Sequence, residues 1–204
     1  MGDHLPNLLT LARIALVPLF VAAFFLPLPA GRWIALALFL IAAITDYADG
    51  IIARARNAES RLGQMLDPIA DKLLVATALM MLVYTSEIKG LVLVPALVIL
   101  AREILVSGMR EFLATIAVHV PVSGVAKIKT TAQVIALSVL IGAPAVESQF
   151  GFLSLLGIIA LWLAALLTLY TGYVYVQGNL AHMSGPEPKT PRVTPTAAPV
   201  ERAS

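Results

Sequence analysis

Asp46-Tyr47-Ala48-Asp49-Gly50-Ile51-Ile52-Ala53-Arg54 and, eight residues further on, Gly63-Gln64-Met65-Leu66-Asp67-Pro68-Ile69-Ala70-Asp71 together carry four of the five aspartates of the chain. The residues that flank this cluster are apolar enough to belong in lipid, where an uncompensated carboxylate is costly and an ionisable side chain is a functional group by default. A cluster of this kind requires a cationic partner.

Working outward, the 204 residues are 59% hydrophobic and only 13% charged, with a mean hydropathy of +0.90. That balance excludes an ordinary soluble domain and predicts an all-α polytopic membrane protein. Runs of about twenty apolar residues, long enough to cross roughly 30 Å of hydrocarbon, fall at 8–26, 33–53, 67–85, 91–112, 125–144 and 151–176, so six transmembrane helices are expected. Membrane lipid is the expected surrounding partner; nucleic acid is not. The chain has no Cys, which removes disulfides and thiolate metal sites and leaves oxygen or imidazole as metal ligands. Met1-Gly2-Asp3-His4 lacks a basic n-region and a small-residue cleavage site, so the first apolar run reads as a retained span and the mature chain as beginning near Met1.

With the N-terminus in the cytoplasm, twelve of the fourteen Lys and Arg residues fall at or near the cytoplasmic side, leaving Arg32 and Lys89 outside. The positive-inside rule then favours an N-in, C-in topology with the aspartates facing the cytoplasm. Residues 54–66 read as the longest charged loop, Ser86 to Gly90 and Pro144 to Phe150 as short outer turns, and His119 to Gly124 as an inner one. From Ser184 onward five prolines in twenty-one residues mark a composition that does not form a core, so residues 1–183 read as one transmembrane domain and 184–204 as a disordered tail.

On a helix, Asp46 and Asp49 lie three apart and Asp67 and Asp71 four apart, so each pair shares a face. Four carboxylates converging in a low dielectric repel one another and take up protons. One or two divalent cations remove that conflict, and all-oxygen ligation points to Mg²⁺ or Mn²⁺. Such a metal keeps open positions for substrate phosphates. Arg54 adds a guanidinium able to bind phosphate through two parallel hydrogen bonds, Gly50 lets a ligand approach the helix backbone, and Ser60 adds a hydroxyl. The purely structural reading takes Asp67 before Pro68 as a helix N-cap and Arg56 and Arg61 as membrane-interface anchors. It accounts for those residues singly and leaves the four-aspartate combination unexplained.

At these positions the chain resembles the CDP-alcohol phosphotransferase family, whose signature D-x2-D-G-x2-A-R-x8-G-x3-D-x3-D is matched at every fixed position from Asp46 through Asp71. The resemblance covers about residues 1–180 and implies the six-helix fold of that family, with a centre of two metal ions held by Asp46, Asp49, Asp67 and Asp71. It also implies that Asp71 is the base that deprotonates the acceptor hydroxyl, and that Gly50, Arg54 and Ser60, with Asn7 and Thr10, bind the CDP-lipid. The implied reaction is attack of an alcohol on the β-phosphorus of CDP-diacylglycerol with release of CMP, by a homodimer in the bacterial cytoplasmic membrane.

A second set of polar residues bears on the acceptor. Arg13 lies on the first helix with Asn7 and Thr10, Arg102, Glu103, Ser107 and Arg110 on the fourth, and Lys127, Lys129, Thr130 and Gln133 on the fifth. Cations beyond those needed for the diphosphate point to an anionic acceptor whose phosphate is bound by Arg110, Lys127 and Lys129. Arg102 beside Glu103 also reads as an internal ion pair, and Lys127 as a headgroup anchor. The strings Asn7-Leu-Leu-Thr10-Leu-Ala-Arg13, Leu66 to Lys72, Ala101-Arg102-Glu103 and Lys127 to Gln133 resemble the branch of the family that makes phosphatidylglycerophosphate, which implies sn-glycerol 3-phosphate as acceptor. Phosphatidylglycerol, inositol phosphate and serine are the acceptors of neighbouring branches. A reading from another class, a cation transporter using the aspartates as its path, lacks acidic residues in the outer half of the spans: Glu87 and Glu147 lie in outer turns.

Overall fold

The computed structural model describes the backbone of residues 5–56, 61–115 and 124–183, and within these the side chains of 11–46, 66, 69–70, 72–115 and 128–180. The described residues form six long helices and no strand: α1 (Leu5–Ala23), α2 (Ala30–Arg56), α3 (Arg61–Tyr84), α4 (Leu93–Thr115), α5 (Gly124–Gly142) and α6 (Phe152–Met183). Single 3₁₀ turns precede α4 at Gly90–Val92 and follow α5 at Ala143–Ala145.

α1 packs against α2 and α3, α6 packs against α4 and α5, and contact of α2 with α5 and of α3 with α4 joins the two groups into one bundle. Phe20, Phe39, Leu82, Ile99, Leu137 and Leu161 are fully buried at its centre, with Phe20 and Phe39 ring centroids 6.1 Å apart. Between them small residues such as Ala35, Ala42, Ala78, Ala136 and Ala164, all buried, let helix backbones approach, the usual device where no water drives helices together. Gly157 makes a close contact of the same kind, since a Cβ there would stand 2.7 Å from Leu140 Cδ2 across the α5–α6 interface.

The outer surface is inverted relative to a soluble protein. Leu97, Ile104, Leu155, Leu163, Leu166 and Tyr170 are all exposed by about half or more, a density of outward apolar groups that fits a hydrocarbon surround. Among the described residues, the helices over Gly90–Thr115, Ile128–Ala145 and Phe152–Leu180 are long and apolar enough to cross a membrane, and Leu11–Ala23 and Lys72–Tyr84 are shorter apolar helices.

The helix limits depart from the sequence expectations around the aspartates. α2 continues to Arg56 and α3 already begins at Arg61, so the charged connection expected over 54–66 shrinks to residues 57–60, which lie outside the described residues. Asp67 is therefore inside α3 and cannot be its N-cap. Pro68, also inside α3, lacks the N–H that would bond the carbonyl of Gln64. α6 extends to Met183, seven residues past the span expected over 151–176, and its apolar stretch itself continues to Leu180. The inner connection before Gly124 and the tail from residue 184 lie outside the described residues.

Candidate active site

The aspartate motif is distributed over two helices: Asp46, Asp49, Gly50 and Arg54 lie in the last three turns of α2, and Asp67 and Asp71 in the first half of α3. Both helices contact α1 and each other. Of the motif's side chains, only that of Asp46 is among the described ones. It meets Arg13 of α1, with Nη1 2.6 Å from Asp46 Oδ1. The two partners are unequally buried, Arg13 being 1% and Asp46 40% exposed in their side chains. The guanidinium is thus fixed in the bundle as a counter-charge, while the carboxylate keeps an open side.

That open side gives onto a cavity of about 300 Å³. Five helices contribute to its wall: Arg13 from α1, Phe39 and Asp46 from α2, Lys72 from α3, Glu103 from α4, and Lys129 and Gln133 from α5. Among the described lining residues there are three cations, two carboxylates and the neutral polar Thr130, Thr131 and Gln133, set among apolar groups that include Leu40, Leu74, Val75 and Val134. A concave site that sets polar groups among apolar ones is the form small-molecule sites take.

Lys129 is 5% exposed, and its ammonium donates to the Glu103 carboxylate. Arg102 Nη1 stands 3.6 Å from the same Glu103 oxygen and its Nη2 donates to Thr171 Oγ1 at 3.2 Å, so a chain of polar contacts runs from α6 through α4 to the cavity. Gly172 makes room for this arrangement, because a Cβ at that position would meet Arg102 Cγ at 3.0 Å. The internal pair expected between Arg102 and Glu103 is therefore present, yet the nearer partner of Glu103 is Lys129. Lys72 reaches Glu111 at 3.9 Å.

Of the residues singled out in the sequence, Asp46 and Lys129 line the cavity, as do Arg13, Glu103, Thr130 and Gln133 of the second polar set. Arg110 is exposed on α4 and does not line it; Glu103, seven residues earlier on the same face, does. Asn7 and Thr10 lie in α1 and Lys127 in α5, with side chains outside the described set; Ser60 lies outside the described residues altogether. Arg13 and Glu103 were grouped with the polar residues bearing on the acceptor, whereas Lys72 is a wall residue to which sequence reasoning gave no role of its own. The signal for Glu103 was a carboxylate well inside an apolar helix, which in lipid calls for a cation nearby.

The residues fit a divalent cation. Asp46 presents a half-open oxygen donor to the cavity, and the three other motif aspartates are oxygen donors carried by the same two helices, the donor chemistry of hard cations. Among the described side chains alone, no group of three such ligands converges.

The model for CDP-alcohol phosphatidyltransferase matches residues 3–170 of the chain. A protein of Rickettsia bellii named CDP-diacylglycerol–glycerol-3-phosphate 3-phosphatidyltransferase is 49% identical over 175 residues, covering 86% of this chain and 94% of the relative. Its namesake in Escherichia coli (strain K12) is 40% identical over 185 residues, 90% of this chain and 98% of the relative, and that of Rickettsia prowazekii is 47% identical over 175. A match over this much of the chain, with the motif aspartate on a cavity wall, makes the protein a member of the CDP-alcohol phosphatidyltransferase family.

Proposed function

We propose that the protein transfers the phosphatidyl group of CDP-diacylglycerol to sn-glycerol 3-phosphate, forming phosphatidylglycerophosphate and CMP. The observation that carries this reading is the wall of the cavity, where Asp46 of the signature and the cationic Lys129 line the same 300 Å³ space. A site for a diphosphate and a second, anionic substrate needs both kinds of residue side by side. The names of the relatives support the same choice of substrates.

In this reading Asp46, Asp49, Asp67 and Asp71 hold two divalent ions, Mg²⁺ or Mn²⁺. When bound, these neutralise the diphosphate and the charge that develops on the departing CMP. Asp71 accepts the proton of the acceptor's primary hydroxyl as its oxygen attacks the β-phosphorus in line; the bond from that phosphorus to the CMP oxygen breaks and CMP leaves as the anion. Gly50, Arg54 and Ser60, with Asn7 and Thr10, bind the CDP-lipid. Lys129, joined by Lys127, binds the acceptor phosphate; Arg110, exposed on α4 away from the cavity wall, stands outside this group. Arg13 holds Asp46 in position, its 2.6 Å contact fixing the carboxylate without closing its cavity side.

The same reading places six spans in a bacterial cytoplasmic membrane, N-in and C-in, with the cavity open to the cytoplasm, in a homodimer whose residues 184–204 form a separate tail. The test is CMP release from CDP-diacylglycerol by purified protein with glycerol 3-phosphate, phosphatidylglycerol, inositol phosphate and serine supplied one at a time. Release dependent on glycerol 3-phosphate is expected. Faster release with another acceptor overturns the acceptor and leaves the chemistry standing; no release with any of them overturns both.

A further inference from the structure

The charged residues of the cavity wall with described contacts are engaged: Arg13 with Asp46, Lys129 with Glu103, Lys72 with Glu111. Gln133 is different. It lines the same cavity, its side chain is 4% exposed, and its Oε1 is buried with no hydrogen-bond partner among the described residues. A buried carbonyl oxygen without a donor is a standing cost to the fold, and one that native proteins seldom leave uncompensated. A site that accepts a ligand there removes the cost only when the ligand is bound.

The position of Gln133 restricts what that ligand group is. It follows Lys129 by four residues on α5, so the two side chains share a helix face at a separation of roughly 6 Å along the axis. A molecule whose phosphate meets Lys129 presents to Gln133 an atom two or three bonds removed from the phosphate oxygen. The amide is neutral, so it matches a neutral donor, not a second charge. In sn-glycerol 3-phosphate that atom is the C2 hydroxyl, the one hydroxyl that does not react.

We propose that Gln133 is a specificity-determining residue that accepts a hydrogen bond from the C2 hydroxyl of the acceptor, an assignment that rests on the glycerol 3-phosphate reading above. Lys129 recognises the anion and Gln133 the carbon skeleton next to it. An acceptor with the phosphate and the reactive primary hydroxyl but without the C2 hydroxyl leaves Oε1 buried and unpaired, and is discriminated against on that ground.

The probe is 3-hydroxypropyl phosphate, which differs from glycerol 3-phosphate by that hydroxyl alone. Wild-type protein is expected to favour glycerol 3-phosphate in kcat/KM by a factor on the order of 10 to 100. In Gln133→Met, which keeps length and neutrality and removes the acceptor atom, the ratio is expected to fall to about threefold or less, with most of the loss on glycerol 3-phosphate. Because the readout is a ratio of two substrates on one preparation, a change in the amount of folded enzyme does not move it, and Gln133→Leu gives the same comparison if the Met variant does not accumulate. A wild-type ratio below about three, or a ratio kept at its wild-type value in the variants, overturns the role of Gln133 while leaving the function intact. A wild type that releases CMP with serine or phosphatidylglycerol but not with glycerol 3-phosphate overturns the acceptor and Gln133 with it.

Discussion

Toward each end of α2 stands an ion pair with a buried arginine, and the two pairs are built differently. Near its start, Arg32 Nη2 lies 2.7 Å from Glu87 Oε1 in the turn after α3, with both side chains largely enclosed, at 8% and 14% exposure. Thr85 donates to the other oxygen of Glu87, and the guanidinium sits 4.6 Å from the centroid of the Phe24 ring. This end is closed on itself: the pair ties the start of α2 to the turn after α3. Toward the other end, Arg13 is as deeply buried as Arg32, but its partner Asp46 is 40% exposed and faces a cavity. An ion pair with both partners enclosed holds helices together; one with a single partner enclosed holds a charge ready for something else.

The strongest way to break this contrast is to neutralise the open partner. Asp46→Asn, and likewise Asp49→Asn or Asp67→Asn, is expected to lower turnover by roughly a thousandfold, about 4 kcal/mol of barrier. CMP release measured against Mg²⁺ and Mn²⁺ concentration checks it, and full wild-type activity in excess chelator would defeat the metal assignment. Asp71→Asn is expected to lower turnover by about a hundredfold or more while affecting CDP-diacylglycerol affinity much less, since proton acceptance is lost along with ligation. Binding and turnover on one preparation decide this, and equal losses would leave Asp71 a ligand only.

A sharper comparison sets Lys129 against Arg110. Lys129→Gln is expected to raise the KM for glycerol 3-phosphate by about tenfold or more with little change for CDP-diacylglycerol, whereas exposed Arg110→Gln is expected to shift either constant by no more than about threefold. Equal effects would extend the acceptor site along α4 beyond the cavity. At the closed end, Arg32→Met is expected to leave the KM values alone and cost on the order of 3 kcal/mol of stability, because it strands Glu87 in the bundle. Thermal unfolding in detergent reads this, and the double variant Arg32→Met with Glu87→Met is expected to recover most of the loss. The smallest effect belongs to the tail: deleting residues 185–204 is expected to keep specific activity in membranes within about twofold, under half a kcal/mol in barrier.

Much of this contrast was legible in the sequence, and unevenly so. The helical class and the aspartate motif were readable because both are local: apolar runs of about twenty residues and carboxylates at spacings of three and four. The partner of Asp46 was not, since Arg13 reaches it only through α1–α2 packing, which no spacing along the chain encodes. Lys129 was found by its charge in an apolar helix, but its pairing with Glu103 was hidden by the adjacent Arg102, which looked the nearer partner. Arg110 shows the complementary limit. It shares a helix face with Glu103, but roughly 10 Å further along the axis, and periodicity reports the face of a residue without its depth. The N-cap reading of Asp67 failed because helical structure begins six residues earlier, through Arg61, Leu62, Gly63 and Gln64, which hydropathy does not count as part of a span.

α5 and α6 pack along each other but differ greatly in length, 19 and 32 residues, or about 28 Å and 48 Å of rise. A bilayer whose hydrocarbon matches the shorter helix is far too thin for the longer, whose apolar stretch alone runs from Phe152 to Leu180. That mismatch is relieved by tilt of α6 or by local thickening of the lipid along its exposed leucine face. The protein therefore carries a preference for membrane thickness along one side, and acyl-chain length becomes a variable that acts on the bundle as a mechanical load as well as on the active site as substrate.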